Sequence, residues 1–106
     1  MKFLLTVCGG EPEVTEPAKP PMDIDAWVEE LDGSGVRLFG DRLAEGTETV
    51  RVRDGEQLVT DGPYAEGKEY IAGIDVLECA SLEEAQEVAA RHPMASYVAV
   101  EVRPFA

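Results

Sequence analysis

Apolar residues recur along this chain with two different periods, and the switches between them mark out its elements. Phe3-Leu4-Leu5-Thr6-Val7-Cys8 is a short apolar run, the pattern of a buried first strand. Ile24, Trp27, Val28 and Leu31 then fall at i, i+3, i+4 and i+7, one stripe of a helix. Asp23 suits its N-cap, and Gly33 or Gly35 can stop it. Asp25, Glu29, Glu30 and Asp32 form its solvated acidic face. Val36-Arg37-Leu38-Phe39 and Thr49-Val50-Arg51-Val52-Arg53 read as strands, and Asp54-Gly55 before Leu58-Val59-Thr60 is a hairpin signal. Ile71 to Cys79 is a further strand, apolar on both sides apart from Asp75 and Glu78. Ser81-Leu82-Glu83-Glu84 matches a capping box, in which the serine hydroxyl and the Glu84 carboxylate serve each other's unpaired amides. Leu82, Ala85, Val88 and Ala89 give that helix its inner stripe, and Pro93 ends it. The stretch from Tyr97 to Arg103 alternates, with Val98, Val100 and Val102 on one side.

The order is strand, helix, strand, a hairpin, then strand, helix, strand. Two split βαβ halves of this kind predict an α+β, ferredoxin-like βαβ-β-βαβ fold, with an antiparallel sheet and two helices on one face. The other face of the sheet is left uncovered, and a second copy of the chain is its usual cover, so a homodimer is expected.

A length of 106 residues, 44% of them hydrophobic, fits one domain spanning residues 1–106, with one modest core. Acidic residues outnumber basic ones 22 to 9, for a net charge of −13. Such a chain is repelled by nucleic acid and by anionic membrane surfaces, which removes both as expected partners. The apolar start is too short for an export signal, no run reaches the length of a spanning helix, and a cytoplasmic location is expected. Cys8 and Cys79 sit in apolar runs and read as small buried hydrophobes. There is no Cys-x-x-Cys motif and only one histidine, His92, so neither a metal site nor a cofactor is expected. Residues 9–21 hold four prolines and three glutamates, an extended surface connection.

Thr49 to Gly55, then Leu58-Val59-Thr60-Asp61-Gly62-Pro63-Tyr64-Ala65-Glu66, Lys68-Glu69 and Gly73, resembles the signature of DGPF-type proteins of the YCII-related family. The closing Val100-Glu101-Val102-Arg103-Pro104 is similar to the family's last strand. The resemblance implies a dimeric α/β-barrel of ferredoxin-like subunits. It also implies an enzyme resting on an Asp and a His, or a module acting beside an extracytoplasmic-function sigma factor. Narrower members carry a histidine in the first helix and an Asp-Pro pair after the second. Here the helix from Ile24 to Leu31 has no histidine, and His92-Pro93 follows the second.

The candidate chemistry gathers around the loop after Thr60. Asp61, at a strand end beside a tight turn, could serve as a general base, or its carboxylate could simply organise the Asp-Gly-Pro turn. His92 could exchange protons as acid or shuttle, or it could be a histidine placed at a helix C-terminus by the macrodipole. With Val50 and Val52 toward the helices, Arg51 takes the open face, where its planar fork could hold an anionic group or pair with the abundant acids. Tyr64, Glu66 and Lys68 would complete the wall of a small-molecule pocket, and the same residues also suit packing and ion pairing. The expected function is a cofactor-free acid–base enzyme on a small organic molecule. The alternative is a non-catalytic binding or regulatory module.

Overall fold

A strand that must be apolar on both faces belongs in the middle of a sheet, and the first strand sits there. In the computed structural model, which describes residues 1–10, 19–63 and 70–106, Lys2–Gly9 forms β1. It pairs antiparallel with Tyr70–Glu78 (β5) on one side and with Ala99–Pro104 (β6) on the other. Arg37–Arg42 (β2) extends the sheet beyond β5, giving the order β2-β5-β1-β6 with every neighbouring pair antiparallel. That is the strand order of a ferredoxin-like α+β fold.

Ile24–Gly33 (α1) and Leu82–Ala90 (α2) cover one face of this sheet. Trp27 and Leu31 from α1, and Ala85, Val88 and Ala89 from α2, form one buried cluster with Phe3, Leu5 and Leu77 of the strands. Each large apolar side chain removed from water here contributes about 1.5–3 kcal/mol. Ile24 and Leu82, at the outer ends of the two stripes, stay exposed. Both caps form. The Asp23 carboxylate accepts from the Ala26 amide at 2.8 Å, and the Ser81 hydroxyl accepts from the Glu84 amide at 3.2 Å. The return arm of the capping box differs from expectation: Glu84 accepts from the amide of Ala80 instead of Ser81, at 3.1 Å. Ser81→Ala should lower the unfolding free energy by about 1 kcal/mol, seen as a lower urea midpoint with an unchanged slope.

Two features depart from the sequence reading. Pro93 does not simply end α2; it opens a further short helix, Pro93–Tyr97 (α3). Proline suits a first helical turn, where its missing N–H would have had no partner. Tyr97 therefore belongs to α3, and the last strand begins at Ala99. The hairpin also stands apart: among the described residues, Glu48–Arg53 (β3) and Glu56–Asp61 (β4) pair only with each other, as a separate two-stranded sheet. Its turn uses positive φ at Asp54 (52°) and Gly55 (77°), as a two-residue type I′ connection requires. Val50 and Val52 do not turn toward the helices; each is 59% exposed. No described helix is long and apolar enough to cross a membrane. Cys8 and Cys79 are buried and not joined in a disulfide.

Candidate functional site: a cleft holding His92 and Asp75

Where α1 begins, the chain before it, the ends of β2 and β5, and the corner between α2 and α3 enclose a cleft of about 1060 Å³. This is at the upper end of the size usual for small-molecule sites. Two titratable groups that are themselves buried, His92 and Asp75, line it.

The His92 side chain is held from two directions. Its backbone is extended, and its Nδ1 accepts from the Met94 amide at 3.0 Å, so it caps the start of α3. Its ring meets that of Trp27 edge-on, with centroids 4.7 Å apart and planes at 72°. Trp27 is fixed in turn by its Nε1–H, which donates to the Val88 carbonyl at 2.9 Å. A backbone N–H can only donate, so Nδ1 is the acceptor and the proton of the neutral ring sits on Nε2. Burial disfavours the charged ring and lowers its pKa to about 4, so the imidazole is neutral at pH 7. His92 does follow the C-cap of α2, its amide donating to the Ala89 carbonyl at 3.1 Å, but it also starts α3, where a positive charge would meet the wrong end of that helix.

Asp75 lies on β5, directly opposite Leu5 of β1 and Gly40 of β2. It is 6% exposed, and Arg37 Nε donates to its Oδ1 at 2.7 Å. Arg37 Nη1 also donates to both oxygens of Asp32, at 2.9 and 3.3 Å. Burial pushes the Asp75 pKa up, outweighing the hydrogen bond and charge of Arg37, which pull it down. Burial likewise opposes the Arg37 charge, but its two carboxylate partners together prevail and its pKa moves up. Desolvation thus falls hardest on the carboxylate, which is the less exposed member of the pair. Gly40 makes room for this ion pair. A Cβ at that position would strike Asp75 Oδ1 and come within 2.6 Å of Arg37 Nη2.

The residues singled out from the sequence are placed differently. Asp61 ends β4, is exposed, and borders a separate cavity of about 600 Å³ with Glu45, Thr47 and Glu48. Arg51 is partly buried on β3 opposite Leu58, and its Nε has no hydrogen-bond partner among the described residues. It lines neither cavity. Tyr64, Glu66 and Lys68 lie outside the described residues. Asp61, His92 and Arg51 are therefore not brought together in either cavity. Asp75 and Arg37 were not among the candidates. The signal for Asp75 was there, one carboxylate inside a nine-residue strand otherwise built from apolar and small residues up to Glu78. Arg37 carried no signal before its partner was known. Among the described residues, no three or more His, Cys, Asp or Glu side chains are grouped so that they could hold a metal ion.

A family model described as the YCII-related domain matches residues 1–106. A curated protein of Rhizobium meliloti (strain 1021), itself named only as uncharacterised, is 44% identical over 63 residues, covering 55% of this chain and 48% of the relative. The chain thus spans about half the length of that relative.

Proposed function

The chain belongs to the YCII-related domain family, and on that premise we propose that its cleft binds a small carbonyl compound and transfers a proton on it without a cofactor. The observation that carries this reading is the pairing, in one cleft, of a neutral buried imidazole with a buried carboxylate. Sites that run acid and base chemistry near neutrality hold two titratable groups whose surroundings push their pKa values away from the ordinary ones. The base in this reading is Asp75 and not Asp61, because Asp75 shares the cleft with His92.

The step is a proton abstraction next to a carbonyl. The Asp75 carboxylate takes the proton from the adjacent carbon, the C–H bond breaks, and its electron pair moves toward the carbonyl carbon. The oxygen that gains charge is met by the Nε2–H of His92. A neutral imidazole suits this role because its proton stays in place as a hydrogen-bond donor. Reprotonation at the same or a neighbouring carbon returns the proton from Asp75. Arg37 acts through Asp75, holding its carboxylate in position. Two copies of the chain in the cytoplasm complete the proposal, and exposed apolar residues such as Phe39, Val50 and Val52 support such an assembly.

The test is exchange of α-protons for deuterium in small ketones and oxo acids, followed by NMR in D₂O. The wild type should accelerate exchange for at least one compound that also raises its melting temperature. Asp75→Asn and His92→Asn should each lower that exchange by roughly a hundredfold. Stabilisation by a ligand with no exchange would overturn the catalytic step and leave a non-catalytic binding module, as the sigma-factor association would suit. Unchanged exchange in both variants would remove the cleft from the chemistry.

A further inference from the structure

The same cleft is edged by two cations, Arg42 and Lys19. Acidic residues outnumber basic ones 22 to 9, yet few of the described cations pair with a carboxylate. Arg37, Arg91 and Arg103 do, pairing with Asp75 and Asp32, with Glu30 and with Glu101. Arg42 and Lys19, like Lys2, Arg51 and Arg53, have no ion-pair partner among the described residues; only Arg42 and Lys19 of these line the cleft. Of the acids that line the cleft, Asp75 is committed to Arg37, Asp23 to the Ala26 amide and Asp41 to the backbone amide of Arg42 itself, while Asp25 pairs with none of its cations.

The strand register shows what lies between Arg42 and the buried carboxylate. Arg42 stands opposite Gly73, and Gly40 stands opposite Asp75. Residues two apart on a strand share a face, so all four positions lie on the face of the cleft. Arg42 and Asp75 are then diagonal neighbours, with Cα atoms about 7–8 Å apart, and both intervening corners are glycines. Gly40 lies under the Asp75–Arg37 ion pair, so the bare backbone between Arg42 and that buried carboxylate is the backbone around Gly73. A small, flat molecule can lie on it, reaching both groups at once.

Building on the proton-transfer cleft proposed above, we infer that its ligand carries a carboxylate close to its carbonyl group, and that Arg42 selects for it by binding that carboxylate. The planar guanidinium matches a carboxylate through two parallel hydrogen bonds. Lys19 adds another positive charge to the lining of the cleft.

The probe pair is 2-oxobutanoate and its methyl ester, which differ in the charge that Arg42 would read. Titrated into ¹⁵N-labelled wild-type protein, the acid should move the Gly40 and Gly73 amides and bind at least about tenfold tighter than the ester. Arg42→Gln should erase this preference by bringing the affinity for the acid down to that for the ester. Equal binding of acid and ester at those amides would overturn the carboxylate assignment and leave the cleft standing as a site for neutral carbonyl compounds. So would a preference that survives in Arg42→Gln. Amides that neither probe moves would overturn the cleft reading along with the inference.

Discussion

Arg37→Met should lower the unfolding free energy by about 3–5 kcal/mol at pH 7, among the largest losses available to a single polar substitution in this chain. The reason is the carboxylate left behind. Asp75 is 6% exposed, and its strongest contact is the 2.7 Å bond from Arg37 Nε. Methionine fills the space of the arginine stem but supplies no donor and no charge, so the ionised carboxylate would be buried alone. The other arm of Arg37 adds little, because Asp32 is half exposed and water screens that pair. The loss should also depend on pH, with a definite sign. Without Arg37, both influences that lower the Asp75 pKa are gone, and burial then raises it further above its unfolded value of 3.8. The folded state then holds the extra proton, so the penalty is present above the folded pKa and fades as pH falls toward the unfolded value. Urea unfolding at pH 7 and pH 4 measures this: the gap between Arg37→Met and wild type should narrow in acid. Arg37→Met combined with Asp75→Leu should recover most of the loss, because no buried charge remains. A single-variant loss below 1 kcal/mol would show that water reaches Asp75 and that the ion pair is a surface one.

The pair also marks the limit of what the chain reveals before it folds. Hydrophobic period identified β1, α1, β5 and α2, because each presents a stripe or a run to one common core and local pattern follows burial. The Asp54-Gly55 turn and the two caps were equally legible, since their chemistry lies within a few residues. Features built from distant segments were not. Arg37 meets Asp75 only because β2 pairs with β5, and Gly40 reads as an ordinary glycine until that pairing puts a carboxylate across from it. Likewise, α3 is hidden in the sequence because a proline after a helical stripe predicts a stop, whereas the same ring is well suited to the first turn of a new helix. The hairpin's separation from the main sheet was not legible either, since the alternation of Val50 and Val52 with two arginines is the same whether the valines meet helices or solvent. Asp61 drew attention because its local motif is dense. Local density, however, reports turn chemistry, and a cleft is assembled from several elements.

Acidification should destabilise the wild type by about 3 kcal/mol through His92 alone, because burial lowers its pKa from 6.5 to about 4. The folded ring binds fewer protons than the unfolded one between those values. The stabilising contribution is therefore complete above pH 6.5 and is lost as pH falls to about 4. His92→Asn isolates it. Asparagine is a good N-cap, and its carbonyl can accept the Met94 amide as Nδ1 does, but it has no titration in this range. The variant should start lower at pH 7, because the edge contact of the ring with Trp27 is gone, and should then lose less than the wild type down to pH 4. The chain's many carboxylates titrate in both proteins, so the difference between the two slopes belongs to His92. Parallel slopes would mean that the ring is solvated and protonates freely. It would then be charged in mild acid and would no longer act there as the neutral donor that the proposed chemistry needs. A resolved difference would instead establish that the fold holds a neutral imidazole beside a 1060 Å³ cleft at pH 7. This protonation state leaves Nε2–H ready to meet a substrate oxygen.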